Sequence, residues 1–260
     1  MCVYSLEKEC RSIRLFLFSL ALLTCLDVPP PLHLQGWYSF DLGSAHFIMI
    51  NTEFHCGPGS DQIKWVTDDL HSVNRSVTPW VIFMGHRQMY SGNSRDSHLS
   101  DCYEDVMLKY KVDLVLYGHI HNTQQTCPLY RSKCIEETDV AGYGAPIHAV
   151  VGNAGQSLTP APSRSENRKI NNGWMDGLIT RRFFQIHTLP PPPFSVFPPA
   201  IVDPCSFPVW SEYFASEFGF SSIEISNATH LTMRFYADAP LDEDPPLHHE
   251  MTIVRGYPRV

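Results

Sequence analysis

Short apolar runs alternate with amphipathic segments along the first part of the chain. Four runs rich in branched and aromatic residues have the pattern of strands buried on both faces of a sheet: residues 45–51, 80–84, 114–117 and 147–151. Between them, apolar residues recur at helical spacing in two segments, marked by Ile63, Val66 and Leu70 and by Leu99, Tyr103, Val106 and Tyr110. Strands that alternate with single helices predict βαβ units in a layered α/β domain.

A different pattern follows near the carboxyl end. Apolar residues alternate with polar ones on both sides of a polar turn at residues 227–230, namely Ile223, Ile225, Leu231, Met233 and Phe235. This alternation predicts an antiparallel hairpin. Residues 251–254 are a candidate for a last strand, and residues 242–244, followed by prolines, indicate a loop that also includes His248 and His249. The predicted fold class is therefore α/β with a terminal antiparallel hairpin.

The segment between these two patterns is rich in Gly, Ser, Asn and Pro. Residues 152–178 indicate a loop, and proline runs occupy residues 190–193 and 198–199. Such runs favour polyproline II and cannot join a central strand. We therefore interpret residues 179–207 as a linker or insertion. The chain then divides into residues 1–34, 35–178, 179–207 and 208–260.

An apolar run of twelve residues, 15–26, follows Lys8, Arg11 and Arg14. It is shorter than the about 20 residues that a membrane-spanning helix needs, and it has the length of the apolar region of a signal peptide. Glu7 and Glu9 dilute the positive charge before it. Three interpretations stay open at this stage: a signal peptide, a buried helix, or translated sequence with no structural role. None of them predicts a transmembrane span.

Composition narrows the class of protein. The chain has 260 residues with a formal charge of -8 and no long basic run, which argues against nucleic acid as a partner. Cys127 and Cys134 flank a short polar loop, a spacing that suits a disulfide formed in an oxidising compartment. Sequons at Asn74 and Asn227 are glycosylation candidates. We expect a protein of the secretory pathway or the extracellular space.

Histidines follow two of the predicted strands. His119 and His121 lie two residues apart after the third strand, so in extended chain they share one face, and His86 follows the second strand. The carboxyl ends of parallel strands are where open α/β sheets bind ligands. Neutral imidazoles suit Zn, Fe, Mn or Cu, which predicts a metal site here, although surface histidines in strand-end turns would have the same pattern. Carboxylates for a two-metal site are scarce, the nearest being Asp96, Asp101 and Asp113.

These motifs resemble the carboxyl-terminal half of a purple acid phosphatase, a calcineurin-like metallophosphoesterase. The resemblance covers residues 35–155 and 208–236, within the segments 35–178 and 208–260, and leaves residues 1–34 unmatched. The matching motifs include Gly85-His86-Arg87, Gly118-His119-Ile120-His121, Cys127-Pro128, Asn51-Thr52-Glu53, Pro208-Val209-Trp210-Ser211 and Asn227-Ala228-Thr229-His230.

The resemblance implies a site with Fe(III) beside Zn, Mn or Fe(II). His86 and His119 would bind the divalent ion and His121 the ferric ion, and the family's cysteine pair corresponds to Cys127 and Cys134. The implied reaction is attack of a metal-bound hydroxide on a phosphomonoester.

The sequence also departs from the family pattern. The motifs that supply the bridging Asp, the ferric Tyr and the Asn do not precede Gly36, and Thr123, Gln124 and Gln125 stand where the family usually has Tyr, Glu and Arg. The family's further histidines, which contact phosphate or protonate the leaving group, have His98 as their nearest match. We therefore expect at most one divalent metal in this chain and no significant phosphatase activity.

Two hypotheses follow from the resemblance. The chain is an acid phosphatase present as a fragment, a splice form or a gene-model error, or it is a non-catalytic half-domain that binds or regulates a partner. That partner would be a complete phosphatase, the missing amino-terminal half or a second copy of the chain. A half sandwich would also leave apolar sheet surface uncovered, which predicts poor solubility or cover by residues 15–26.

Overall fold

A computed structural model describes residues 13–17, by their backbone alone, and residues 36–92, 94–135, 142–155, 157–161 and 207–256. Most of the apolar run 15–26 and of the predicted linker 179–207 lies outside these ranges. The described part has two helices, α1 (Asp61–Ser72) and α2 (Ser97–Lys109). Its strands are β1 (Ile13–Leu17), β2 (Tyr38–Leu42), β3 (Ala45–Met49), β4 (Trp80–Gly85), β5 (Leu114–Tyr117), β6 (Thr123–Tyr130), β7 (Lys133–Cys134), β8 (Ile147–Val151), β9 (Ser211–Ala215), β10 (Gly219–Ile225), β11 (His230–Ala237) and β12 (Leu247–Val254).

The larger sheet has a parallel centre and antiparallel flanks. Its order is β2-β3-β4-β5-β8-β6-β7, with β9 also paired to β6. The four predicted apolar strands are β3, β4, β5 and β8, and they are adjacent and parallel. The prediction of an α/β layer built from βαβ units is therefore confirmed. Because these four strands run in one direction, their carboxyl ends meet at one edge of the sheet.

The two helices cover one face of this sheet. The Ile63 N–H donates to Ser60 Oγ at the start of α1 (3.4 Å), and the Leu99 N–H donates to Asp96 Oδ1 at the start of α2 (3.0 Å), as helix caps do. The apolar stripes of both helices then pack on the sheet in one buried cluster that includes Val66, Leu70, Tyr103, Phe83 and Val115. The helical periodicity in the sequence thus identified both the helices and the faces that they bury.

A four-stranded antiparallel sheet covers the opposite face. Its order is β1-β10-β11-β12, so the predicted hairpin is confirmed as β10 and β11, and the candidate strand at 251–254 lies within β12. The second core joins the two sheets through Trp80, Ile82 and Met84 of β4, each 0% exposed, and residues of the small sheet such as Met233 and Phe235. The expectation of an uncovered sheet face is therefore wrong for the described residues.

Residues 13–17 are the strand β1, which pairs with β10 at the edge of the small sheet. For residues 15–17, the interpretation as a buried helix is therefore wrong. The alternation of apolar and polar residues is too short in this stretch to have indicated a strand. The remainder of the run, residues 18–26, lies outside the described part of the chain.

Two segments that were not predicted as strands form strands. β6 is a polar run with Pro128 within it, and its Thr123, Gln124 and Gln125 are buried through hydrogen bonds rather than apolar contacts. His249 was expected in a solvated loop, but it lies in β12, where its ring stacks on Tyr213 at 4.2 Å between centroids and its Nε2 lies 2.8 Å from Gln125 Oε1. Hydrophobic periodicity cannot detect strands that are buried through polar pairs.

A buried ion network joins segments that are far apart in sequence. The Asp113 side chain is completely buried, and Arg75 and Arg255 donate to it at 3.1 and 3.3 Å. The Val81 N–H donates to the same carboxylate at 2.9 Å. Asp113 lies just before β5, at the amino end of the strand. It therefore stabilises the edge of the sheet opposite the histidines.

Two disulfides are present in the described residues. Cys127 and Cys134 close the turn between β6 and β7, with 5.6 Å between their Cα atoms. Cys56 and Cys102 join the loop after β3 to helix α2, with 5.7 Å between their Cα atoms. Sequence reasoning did not identify the second pair, because its cysteines are separated by 46 positions.

Candidate metal centre

His86 and His119 contact each other at the carboxyl edge of the larger sheet. Each follows the end of one of two adjacent parallel strands, β4 and β5. The carbonyl oxygen of His86 accepts hydrogen bonds from the N–H groups of Gly118 (3.1 Å) and His119 (2.9 Å), which fixes the two strand ends together. The distance from His119 Nδ1 to His86 Nε2 is 3.0 Å, and the ring centroids lie 4.9 Å apart in an edge-to-face arrangement.

His121 is fixed by a different segment. Its Nδ1 lies 2.8 Å from the carbonyl oxygen of Ser157, and its backbone N–H donates to Thr159 Oγ1 at 3.2 Å. Because a carbonyl oxygen can only accept, Nδ1 carries the proton and Nε2 keeps its lone pair, the arrangement that orients metal-binding histidines. In the described part of the chain, however, the donor atoms of His121, His86 and His119 do not all lie within 4.8 Å of one another.

Arg87 places a positive charge beside this imidazole pair. Its Nε donates to Glu53 Oε1 (2.6 Å), its backbone N–H donates to Thr52 Oγ1 (3.1 Å), and its Nη1 lies 3.4 Å from His119 Nε2. Partial burial lowers the pKa of His119, and the charges of Arg87 and His86 lower it further. The hydrogen bond from Arg87 lowers the pKa of the exposed Glu53 carboxyl. Arg87 is thus a salt-bridge partner of Glu53, although its guanidinium also faces the site.

Gly152, at the end of β8, supports the loop that bears the histidines. A Cβ atom at this position would lie 2.1 Å from the carbonyl oxygen of Ile120 and 2.6 Å from that of Gly118. No side chain fits there, so the backbone of β8 packs directly against residues 118–120. The Gly152 N–H also donates to the carbonyl oxygen of Asn122 at 3.1 Å. Sequence reasoning missed this residue, because nothing local distinguishes it from a loop glycine.

The other predicted site residues lie elsewhere. His98 is in the first turn of α2, and within the described part of the chain its side-chain contacts are with Cys56 (Nε2 to Sγ, 3.6 Å) and with the ring of His55 (centroids 6.1 Å apart). Asp96 caps α2, and Asp101 accepts from Arg95 at 3.0 Å. The structure therefore does not bring His98, Asp101 or Asp113 to the imidazole pair.

The two sequon asparagines are exposed on loops. Asn74 Oδ1 accepts from the Ser76 N–H (3.0 Å), and Asn227 Oδ1 accepts from the Thr229 N–H (2.8 Å), so both form Asx turns. Such exposed turns are accessible to a modifying enzyme. Glycosylation of Asn74 and Asn227 stays a prediction.

The donor set fits one divalent ion better than two. Two nitrogen ligands at about 2.1 Å from an ion and at right angles to each other are about 3.0 Å apart, which matches the separation of His86 Nε2 and His119 Nδ1. A two-metal site also needs anionic oxygen ligands between the ions. Glu53 is the carboxylate whose charge acts on the pKa of His119, and its side chain accepts a hydrogen bond from Arg87. The described residues therefore fit a single cation and do not complete a two-metal centre.

Two family models match the sequence. One describes calcineurin-like phosphoesterases and matches residues 18–123, and the other describes the iron/zinc purple acid phosphatase-like protein C and matches residues 200–244. Both matches, and the relatives below, show a resemblance to the purple acid phosphatases. The first match covers residues 35–123 of the first segment that resembled the family, and the second covers all of residues 208–236. The family implies a binuclear metal site.

Comparison with individual purple acid phosphatases shows how much of each protein the sequence match covers. The probable inactive purple acid phosphatase 27 of Arabidopsis thaliana is 35% identical over 64% of this chain and 29% of its own length. The human acid phosphatase type 7 is 28% identical over 84% of this chain and 46% of its own length. The chain thus spans less than half the length of these relatives.

A solved structure supports the fold. The purple acid phosphatase PPD1 from yellow lupin seeds superposes with a TM-score of 0.61 and 24% identity, covering 89% of this chain and 35% of that protein. Among the described helices, neither is long and apolar enough to cross a membrane.

Proposed function

We propose that this chain binds one divalent cation through His86 and His119, with His121 as a third imidazole, and that it engages the phosphate of phosphomonoesters there. The observation that carries the proposal is the 3.0 Å separation of the two imidazole nitrogens at the edge where parallel sheets bind ligands. Fe(II), Zn and Mn are all suitable ions for such nitrogen donors.

The chain's own residues give this edge affinity for phosphate. Arg87 is held by Glu53 with its Nη1 3.4 Å from His119 Nε2, so its guanidinium lies beside the imidazoles as a donor for anionic oxygens. His121, fixed through Ser157, leaves Nε2 as the nitrogen that could bind the cation. A divalent ion bound at the pair would supply Lewis acidity toward a phosphoryl oxygen.

We further propose that residues 1–260 alone are a poor phosphatase. In a two-metal hydrolase the ions stabilise both the attacking and the leaving oxygen, and a ferric ion needs anionic oxygen ligands. Here Asp96, Asp101 and Asp113 have other partners in the fold. The name of the Arabidopsis relative, "probable inactive", agrees with this expectation.

The test measures metal binding and hydrolysis separately. Calorimetric titration with Zn²⁺ is expected to give binding that His119→Ala abolishes and that His71→Ala, a change at an exposed position at the end of α1, leaves intact. Hydrolysis of a chromogenic phosphomonoester at acid pH should stay far below the 1–10³ s⁻¹ typical of enzymes, roughly at the level of a metal-free control. Turnover in that range, lost in His119→Ala, would show that the ligand set is complete.

A second candidate is a binding module that acts with another polypeptide. The observation that favours it is that the match covers less than half of each relative. A separate polypeptide that bears the motifs for the bridging Asp, the ferric Tyr and the Asn should then restore hydrolysis when mixed with this chain. Gel filtration of the chain alone would show whether it pairs with a second copy.

The two disulfides are also relevant to the cellular compartment of the protein. Both Cys127–Cys134 and Cys56–Cys102 are formed in the structure. Such bonds persist in oxidising compartments. We propose a secreted or lumenal protein, which a protease-protection assay on expressing cells would test.

A further inference from the structure

A second cluster of metal-binding side chains surrounds the Cys56–Cys102 disulfide. Among the described residues, Cys56, His98 and Cys102 are the group of three whose donor atoms all lie within 4.8 Å of one another. Cys56 is buried on the loop after β3, and Cys102 and His98 lie on α2, Cys102 partly exposed and His98 exposed. His55, next to Cys56 in sequence, places a further imidazole beside the group, 6.1 Å from His98 between ring centroids.

We propose that reduction of this disulfide converts the cluster into a zinc site with two thiolate ligands and one imidazole ligand. Zn²⁺ binds thiolate sulfur at about 2.3 Å and imidazole nitrogen at about 2.0–2.1 Å, so a tetrahedral site separates sulfur and nitrogen by about 3.6 Å. Cys56 Sγ and His98 Nε2 are 3.6 Å apart. One sulfur–nitrogen edge of the site is therefore already formed while the disulfide is intact.

The sulfur atoms need only a small rearrangement. In a tetrahedral zinc site two thiolates lie about 3.8 Å apart. The Cα atoms of Cys56 and Cys102 are 5.7 Å apart, and Cys102, on the exposed side of α2, can turn its Sγ away by rotation about its side-chain bonds. The backbone positions that hold the disulfide thus also hold the zinc ligands.

The exchange balances with a dithiol reductant. A thiolate of the dithiol attacks Cys102 Sγ, the more accessible sulfur, and Cys56 leaves as a thiolate beside His98. The second thiol of the reductant then displaces Cys102, so the dithiol is oxidised to a disulfide and two cysteine thiols form. Binding of Zn²⁺ releases their two protons.

The site would keep the same crosslink in either redox state. The loop that bears Cys56 also bears Thr52 and Glu53, which hold Arg87 beside His119. A metal that joins Cys56 to Cys102 and His98 would retain this loop on α2 after the disulfide is reduced. The inference does not depend on the proposed phosphatase-like site.

Cobalt titration tests this site separately from the imidazole pair, because thiolate-bound Co²⁺ gives sulfur-to-metal charge-transfer absorption and imidazole-bound Co²⁺ does not. The full chain, reduced anaerobically with a phosphine and then desalted, should show this absorption with one equivalent of Co²⁺, and Zn²⁺ should displace it. The oxidised chain should not. Cys102→Ser should abolish the absorption, and Cys134→Ser, which removes the other disulfide, should leave it.

Two further variants exclude a loss of folding as the explanation. His98→Gln leaves both cysteines in place and should weaken Co²⁺ binding by at least about tenfold, the effect of losing even an outer-shell partner. His119→Ala should not change the thiolate signal. Absorption that persists in Cys102→Ser, or affinity unchanged in His98→Gln, would overturn the proposal.

Discussion

The buried His148 makes the free energy of unfolding depend on pH. Its ring lies between Tyr90 and Tyr117, with ring centroids 5.1 and 6.0 Å away, and its Nδ1 is 3.2 Å from the Tyr117 hydroxyl oxygen. Complete burial lowers the pKa of His148 to about 3. In the unfolded chain the pKa of a histidine is about 6.5. Between these two values the unfolded state binds one more proton than the folded state.

The sign and size of the effect follow from that proton. A folded-state pKa below the unfolded value gives stability that is complete above about pH 6.5 and is lost as the pH falls toward about 3. Each pH unit in this window costs about 1.4 kcal/mol, so the free energy of unfolding falls by about 2.5 kcal/mol between about pH 7.5 and about pH 4.5 from this residue alone.

His46 acts in the opposite direction. Burial by itself lowers its pKa, but hydrogen bonds to Asp69 (2.9 Å) and Asp41 (2.6 Å) outweigh burial and raise it above the ordinary value. Its stabilising contribution is therefore complete below about pH 6.5 and is lost as the pH rises through its folded-state pKa. His46 therefore changes stability above about pH 6.5 and His148 below it, so the pH profile of the parent chain contains both effects and cannot isolate His148.

The assay compares variants by their pH slopes. Urea unfolding, followed by tryptophan fluorescence from about pH 4.5 to 7.5, should show that His148→Gln is less stable than the parent at neutral pH, because the ring packing is lost. The difference should shrink by about 2.5 kcal/mol at the acid end. His230→Gln, at an exposed strand end, should keep the slope of the parent. Parallel profiles for His148→Gln and the parent would refute the reasoning.

Two other substitutions test the scaffold of the site. Gly152→Ala should force the loop at residues 118–120 away from β8 and abolish Zn²⁺ binding by titration, and binding equal to the parent would show that the loop adapts. Asp113→Ala should leave Arg255 buried without its partner and lower the free energy of unfolding by about 3–5 kcal/mol, measured by urea unfolding. The exposed ion pair of Asp105 gives the matched control, since Asp105→Ala should cost no more than about 1 kcal/mol, and equal losses for the two variants would contradict this account.

Sequence patterns predicted the apolar elements and the first pair of site residues. β3, β4, β5 and β8 have dense apolar runs, and both helices have clear stripes, because hydrophobic burial alone determines their positions. The contact of His86 with His119 also follows from the sequence, since adjacent parallel strands that end in Gly-His must present these residues at one edge.

The rest depends on contacts that local patterns do not encode. β6 is buried through Gln and Thr side chains, and β1 pairs with the distant strand β10 at the edge of the small sheet. Cys56 and Cys102 meet through the packing of α2 on the sheet, and Gly152 is required by a backbone contact with Ile120. Each of these features is a pairing between distant segments, which a single sequence read in order does not show.

The pairing of β1 with β10 has a consequence for the order of folding. Ile13 lies opposite Ile225, so the two strands are separated by most of the chain. The entropic cost of closing so long a loop is only moderately larger than that of a shorter loop, because it grows with the logarithm of loop length. Contacts of such high sequence separation nevertheless slow folding. During synthesis at about 5–20 residues per second, β1 leaves the ribosome roughly 10–40 s before β10 exists. During that interval the first strand of the small sheet has no partner strand, so its unpaired edge is accessible to chaperones before the sheet forms.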